Sequence, residues 1–186
     1  MHRFNALVFL LTMILASSAN AQTKPVQRTG VQPVKATAEN PIKETKQTIG
    51  DWVVACAQKD GSPKTCALSQ TLMQSQTHRF LSSISIGRDT SGKAMGNVTA
   101  PLGFAVNKGG QLQIGDSQPI KLEFVTCVAN GCLSIVEFSV AQISDMQAAN
   151  KLQVTLESLQ KKPVNIEFSM NGFPKALAAY IQEVKN

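Results

Sequence analysis

The sequence predicts a mainly β protein, an antiparallel β-sandwich of short strands with a short helix near 144–150 and a C-terminal helix. Three observations carry that prediction. Apolar residues in the body of the chain alternate with polar ones at period two, as in half-buried strands of antiparallel sheets. Turn-forming clusters interrupt the alternation at short intervals, which many short strands in a sandwich or barrel require. Only two segments change to helical spacing, one of them at the C-terminal end.

The strands follow in order. In "GDWVVACA" Trp52, Val54 and Cys56 share one face, and in "RFLSSISIG" Phe80, Ile84 and Ile86 do, with Ser82 intervening. "IKLEFVTC" alternates Ile120, Leu122 and Phe124 against Lys121, Glu123 and Val125 and reads as one strand. After Cys132 the phase conflicts: Leu133 and Ile135 point one way, Val136, Phe138 and Val140 the other. A bulge near Ile135 and Val136 would reconcile the two halves. Turns fall at Lys59-Asp60-Gly61-Ser62-Pro63, Arg88-Asp89-Thr90-Ser91-Gly92, Gly109-Gly110 and Gly115-Asp116-Ser117, all rich in residues that tolerate tight backbone geometry. Ser144 is placed to cap a short helix running to Asn150. Pro174 begins a second, whose stripe of Phe173, Leu177, Tyr180, Ile181 and Val184 should dock on the sheet.

Upstream of this body, residues 1 to 21 read as a secretory signal peptide: Arg3, an apolar run from Ala6 to Ala16, then Ala19-Asn20-Ala21 as a cleavage site. The run is well short of the roughly 20 residues a membrane span needs, so cleavage after Ala21 is expected, with no transmembrane span in the mature chain. Residues 22 to 48 carry three prolines, five cations, two anions and no aromatic residue, and read as a disordered basic tether. Such a segment attracts anionic lipid and would give peripheral membrane association. Its cations are scattered, however, and a solvated spacer is the favoured reading. Without helix-turn-helix, zinc-finger or aromatic-and-basic signatures, no nucleic acid is expected as a partner. Residues 49 to 186 then form a single disulfide-stapled β domain of ordinary size.

All four cysteines, Cys56, Cys66, Cys127 and Cys132, fall in that domain, and export to an oxidising compartment favours disulfides. Three pairings are open. Short loop closure favours Cys56 with Cys66 and Cys127 with Cys132. In "CVANGC" the two cysteines would face each other across a hairpin whose loop is Val128-Ala129-Asn130-Gly131, within disulfide reach.

The search for chemistry is one of elimination. The single histidine of the mature chain, His78 in "QSQTHRF", would have to serve any Ser-His or Cys-His site, yet no nucleophile elbow surrounds it. Nine residues between Cys56 and Cys66 do not suit a structural zinc site, and "CVANGC" is not the Cys-x-x-Cys of a thiol exchanger. Asp89, Asp116, Glu123, Glu137 and Glu167 sit on separate strands or turns. "NKGGQ" and "IGDSQ" lack the helix and Lys-Ser/Thr of a phosphate loop. No catalytic residue, metal site or cofactor is expected, and the profile suits recognition better than catalysis. A membrane barrel would need strands of about 9 to 11 residues with a lipid-facing side, whereas this chain turns helical at "ALAAYIQEVKN".

"GDWVVAC", "KTCALSQ", "APLGF", "FVTCVANGCLS" and "NGFPKALAAY", in that order over nearly all of residues 49 to 186, resemble the invasion-associated locus B family, exported proteins of alphaproteobacteria best known from Bartonella. The resemblance implies a periplasmic or envelope β-sandwich associated with invasion of host cells, notably erythrocytes. Its partner would be a host-cell surface component or an envelope protein. The matching positions it implies are structural: Trp52 in the core, the four cysteines as two staples, and the Gly172-Phe173 step into the last helix. The alternative is a periplasmic binding or envelope-maintenance module that affects invasion indirectly.

Overall fold

The computed structural model describes residues 42–185. The expected signal peptide and tether residues 22 to 41 lie outside the described residues. Among the described residues eleven strands form two antiparallel sheets. The first five strands run β1 (Lys43–Ile49), β2 (Trp52–Gln58), β3 (Thr65–Met73), β4 (Phe80–Arg88) and β5 (Ala94–Ala100). A 3₁₀ turn, Val106–Lys108, leads to β6 (Gly110–Ile114), β7 (Ile120–Leu122), β8 (Phe124–Val128) and β9 (Gly131–Phe138). After helix α1 (Val140–Ala148) come β10 (Lys151–Glu157), β11 (Pro163–Ser169) and helix α2 (Phe173–Glu183). The large sheet has the order β1-β2-β3-β4-β5-β9-β8, the small one β11-β10-β6-β7.

The core lies between the sheets because alternate residues of each strand face it. Trp52, Val54 and Cys56 of β2, Ser82, Ile84 and Ile86 of β4, and Leu152, Val154 and Leu156 of β10 are buried. The helix α2 caps one side of this core. Phe173, Ala176, Leu177 and Tyr180 are buried, and the Phe173 ring meets Trp52 edge-on at 4.8 Å between centroids. Ile181 is partly buried and Val184 exposed, so the predicted stripe narrows toward its end.

Two glycines set how closely the start and end of the domain approach. Gly50, in the β1–β2 turn, and Gly172, before α2, both have positive φ. A Cβ on either would strike main chain of the other segment, at Asn171 or Ile49, and Asp51 N–H donates to the Asn171 carbonyl.

Four expectations need correction. Residues 43 to 48 are not tether but most of β1, paired with β2 from Lys43↔Gln58 to Ile49↔Trp52. β1 is held chiefly by backbone bonds to β2, and its charged, exposed side chains erase the apolar alternation that would have marked it. "IKLEFVTC" is two strands: Leu122 pairs with Gly110 in the small sheet and Phe124 with Ser134 in the large one, so the chain changes sheet at Glu123. The corner is accommodated by a register break on β8 between Phe124 and Thr126. No break occurs at Ile135 and Val136, where β9 pairs with β5 without interruption. Instead Cys132, Ser134, Val136 and Phe138 face the core while Ile135 is exposed. Finally, Ser139 and not Ser144 caps α1. Its Oγ accepts from Gln142 N–H, and the Gln142 side chain accepts from Ser139 N–H.

Candidate functional site

The Cys127–Cys132 hairpin is one wall of a cleft at one end of the sandwich. The two cysteines are paired residues of β8 and β9 with Cα atoms 3.9 Å apart, and they form a disulfide. Their loop is shorter than the sequence suggests: Val128 pairs with Gly131, leaving Ala129 and Asn130 as the turn. Gly131, at φ 144°, lies against β5, and a Cβ there would fall on the Ala100 carbonyl oxygen. The hairpin therefore sits directly on the end of β5.

From Ala100 the chain passes through Pro101 and Leu102 to Phe104, whose ring packs on Phe124 at 4.7 Å between centroids. The opposite wall is the β3–β4 turn. Gln74 N–H donates to Arg79 O and His78 N–H to Gln74 O, with His78 in the left-handed region at φ 51°. His78 is thus the corner of a turn. Together Gln74, Arg79, Phe80, Pro101, Leu102 and Asn130 line a cleft of about 410 Å³. Leu102, in its lining, is 57% exposed, and Val128 in the hairpin and Met73 at the end of β3 are exposed as well. The lining combines Phe80, Pro101 and Leu102 with one guanidinium, Arg79, and two side-chain amides, Gln74 and Asn130.

The acidic candidates stand apart. Glu123 pairs with Lys121 at 2.7 Å, Glu137 with Lys93 at 2.9 Å and Glu167 with Lys151 at 2.6 Å. Lys121 holds the Glu123 carboxyl below its ordinary pKa, and Glu137 raises that of Lys93. Asp89 accepts from Ser91 Oγ, which lowers its pKa, and from Ser91 and Lys93 N–H, closing the β4–β5 turn. Asp116 lines a separate cleft of about 430 Å³ with Asp145 and Lys151. A further cleft of about 500 Å³ gathers Lys108, Lys121 and Lys161. No group of three or more His, Cys, Asp or Glu residues able to hold a metal occurs among the described residues.

The other predicted site residues are structural. Cys56 and Cys66 form the second disulfide, linking β2 to β3 at a Cα separation of 4.0 Å. Trp52 is fully buried and donates from Nε1 to the Ser169 carbonyl at 2.9 Å. Sequence reasoning missed Gln70, a buried amide on β3 that bonds the Ser169 main chain across the sandwich. Its place on the inward face of "KTCALSQ", in phase with Cys66 and Leu68, was the available signal.

Fold and site together define a disulfide-clasped, two-sheet β-sandwich whose surface carries open clefts. The chain belongs to the invasion associated locus B (IalB) protein family, whose model matches residues 52–180. It is 29% identical over 178 residues to the invasion protein B homolog of Brucella abortus (strain 2308), covering 95% of this chain and 94% of that one. It is likewise 29% identical over 174 residues to invasion protein B of Bartonella bacilliformis, covering 91% and 92% of the two chains. The crystal structure of invasion associated protein B from Bartonella henselae superposes with a TM-score of 0.69 at 26% identity, over 76% of this chain and 97% of that one.

Proposed function

We propose that this protein is an exported interaction protein that promotes attachment to and invasion of host cells, erythrocytes among them, through binding and not turnover. Membership of an invasion-associated family supports the coarse role. The observation that carries the finer reading is the cleft beside the Cys127–Cys132 hairpin, where Leu102 in the lining and Val128 in the disulfide-clasped hairpin stay exposed. Such a surface fits a protein on the host cell or in the bacterial envelope. The carboxylates held in separate ion pairs and turns also favour binding over acid-base chemistry.

The test is complementation of a clean deletion strain. Wild-type protein should restore invasion, whereas Leu102→Asp combined with Val128→Asp should fold, be exported and fail to restore it. Unchanged invasion by the deletion strain would sink the proposal.

A second reading, a periplasmic binding or envelope-maintenance module acting indirectly, draws on the same disulfides, since the periplasm is oxidising. Protease applied to intact and to permeabilised cells separates the two. Cleavage on intact cells supports a direct role, and protection until permeabilisation supports the indirect one.

A further inference from the structure

Sheet edges are where a β-sandwich is open to another strand, and proteins normally blunt them. Three of the four edges among the described residues are blunted. β7 has three residues, β8 carries a register break and the Cys127 disulfide, and β11 begins with Pro163, which has no N–H. β1 is different. It pairs with β2 over seven consecutive residues without a break, no strand among the described residues lies on its other side, and six of its seven residues are exposed. Alternate residues of an antiparallel edge strand point N–H and C=O away from their one partner, so β1 presents a regular row of free backbone groups.

Its side chains decide what fits there. Lys43, Thr45 and Gln47 oppose Gln58, Cys56 and Val54, on the core side of the sheet; Glu44, Lys46 and Thr48 lie on the outer side. If a second copy adds its own β1 antiparallel about a two-fold axis normal to the sheet, each face stays on its own side. The axis must then pass through a residue. An axis on Glu44 sets Glu44 against itself, and one on Lys46 sets Lys46 against itself, both directly opposed like charges. An axis on Gln47 makes no ion pair. An axis on Thr45 opposes Glu44 with the partner's Lys46 twice over, Lys43 with Gln47, and Thr45 with its own symmetry mate. Of these registers that one alone forms ion pairs, two reciprocal Glu44–Lys46 contacts, and opposes no like charges.

We propose that β1 joins two copies of this chain through an antiparallel β1–β1 pairing centred on Thr45, fusing the large sheets into one of fourteen strands. The pairing is isologous, and its register is fixed by the reciprocal Glu44–Lys46 pairs.

The experiment is sedimentation and light scattering of the mature chain from micromolar to near-millimolar concentration. The wild type should form a concentration-dependent dimer. Lys46→Glu and Glu44→Lys should each weaken it, raising the dissociation constant at least about tenfold. The double variant carrying both changes should restore it, and an equimolar mixture of the two single variants should form a heterodimer. Circular dichroism should be unchanged throughout, since both side chains are exposed. Thr45→Cys should oxidise to a covalent dimer, because facing α-carbons lie roughly 4.5–5.5 Å apart, within disulfide reach. A wild type that stays monomeric overturns the proposal. So does a dimer indifferent to the single variants, or one that the double variant fails to restore.

Discussion

The Gln70 carboxamide pairs with the Ser169 main chain as a neighbouring strand would: Nε2 donates to the Ser169 carbonyl and Oε1 accepts from the Ser169 N–H, both at 2.9 Å. One residue lies on β3 of the large sheet, the other at the end of β11 in the small sheet. Trp52 Nε1 donates to the same carbonyl, so the backbone of one residue ties the two layers shortly before α2 begins. Gln70→Leu keeps the volume but strands the Ser169 N–H. It should cost about 2–3 kcal/mol, read by urea denaturation on the fluorescence of Trp52, the only tryptophan.

The two disulfides should differ in worth. In the chain-entropy account, closure at a sequence separation of 10 for Cys56–Cys66 contributes about half a kcal/mol more than closure at 5 for Cys127–Cys132. The two ends of the shorter bridge also differ. Cys132 is 1% exposed and Cys127 open to solvent. Cys132→Ser therefore buries a hydroxyl and should be about 1–2 kcal/mol less stable than Cys127→Ser. Equal stabilities would mean the site relaxes to admit water. Neither variant should release a metal.

Gly131 fixes the hairpin against β5. Gly131→Ala should cost about 2–4 kcal/mol, because the new methyl meets the Ala100 carbonyl and the backbone is held at positive φ. Gly61 also has positive φ but open space around it, so Gly61→Ala should cost only about 1 kcal/mol. Thermal unfolding of the pair separates the effect of contact from that of conformation.

Tyr180 is buried with a hydroxyl that has no hydrogen-bond partner among the described residues, and burial raises its pKa above 10.0, opposed by the charge of Arg88. A raised folded-state value means the unfolded chain loses this proton first. Stability is thus intact below the unfolded pKa near 10 and falls as pH rises through the folded value. Since this is the only tyrosine, phenolate absorbance should appear together with unfolding and not before it. Tyr180→Phe should remove the alkaline loss and be neutral or stabilising by up to about 1 kcal/mol at neutral pH.

The legible parts of this protein were those governed by local rules. Period-two burial identified β2, β4 and the inward face that carries Trp52, and the helical stripe of α2 followed from Phe173, Leu177 and Tyr180. Short loop closure favoured both cysteine pairings found in the structure. At Ser144 the capping residue was misplaced because Ser139 and Gln142 together form the stronger signal. The cleft was illegible as a unit, since Arg79, Leu102 and Asn130 come from three separate turns.

The sequence alone determined which residues of β2, β4 and α2 face inward, because alternation is a property of neighbouring side chains and of the hydrophobic effect acting on each element. Tertiary structure alone decided which sheet each strand joins. Backbone N–H and C=O groups are the same at every residue, so nothing in "IKLEFVTC" marks Glu123 as the point where the chain leaves β6 for β9. For the same reason the charged segment Lys43–Ile49 could become a strand with almost no apolar signal, held by β2 through bonds that any sequence can make.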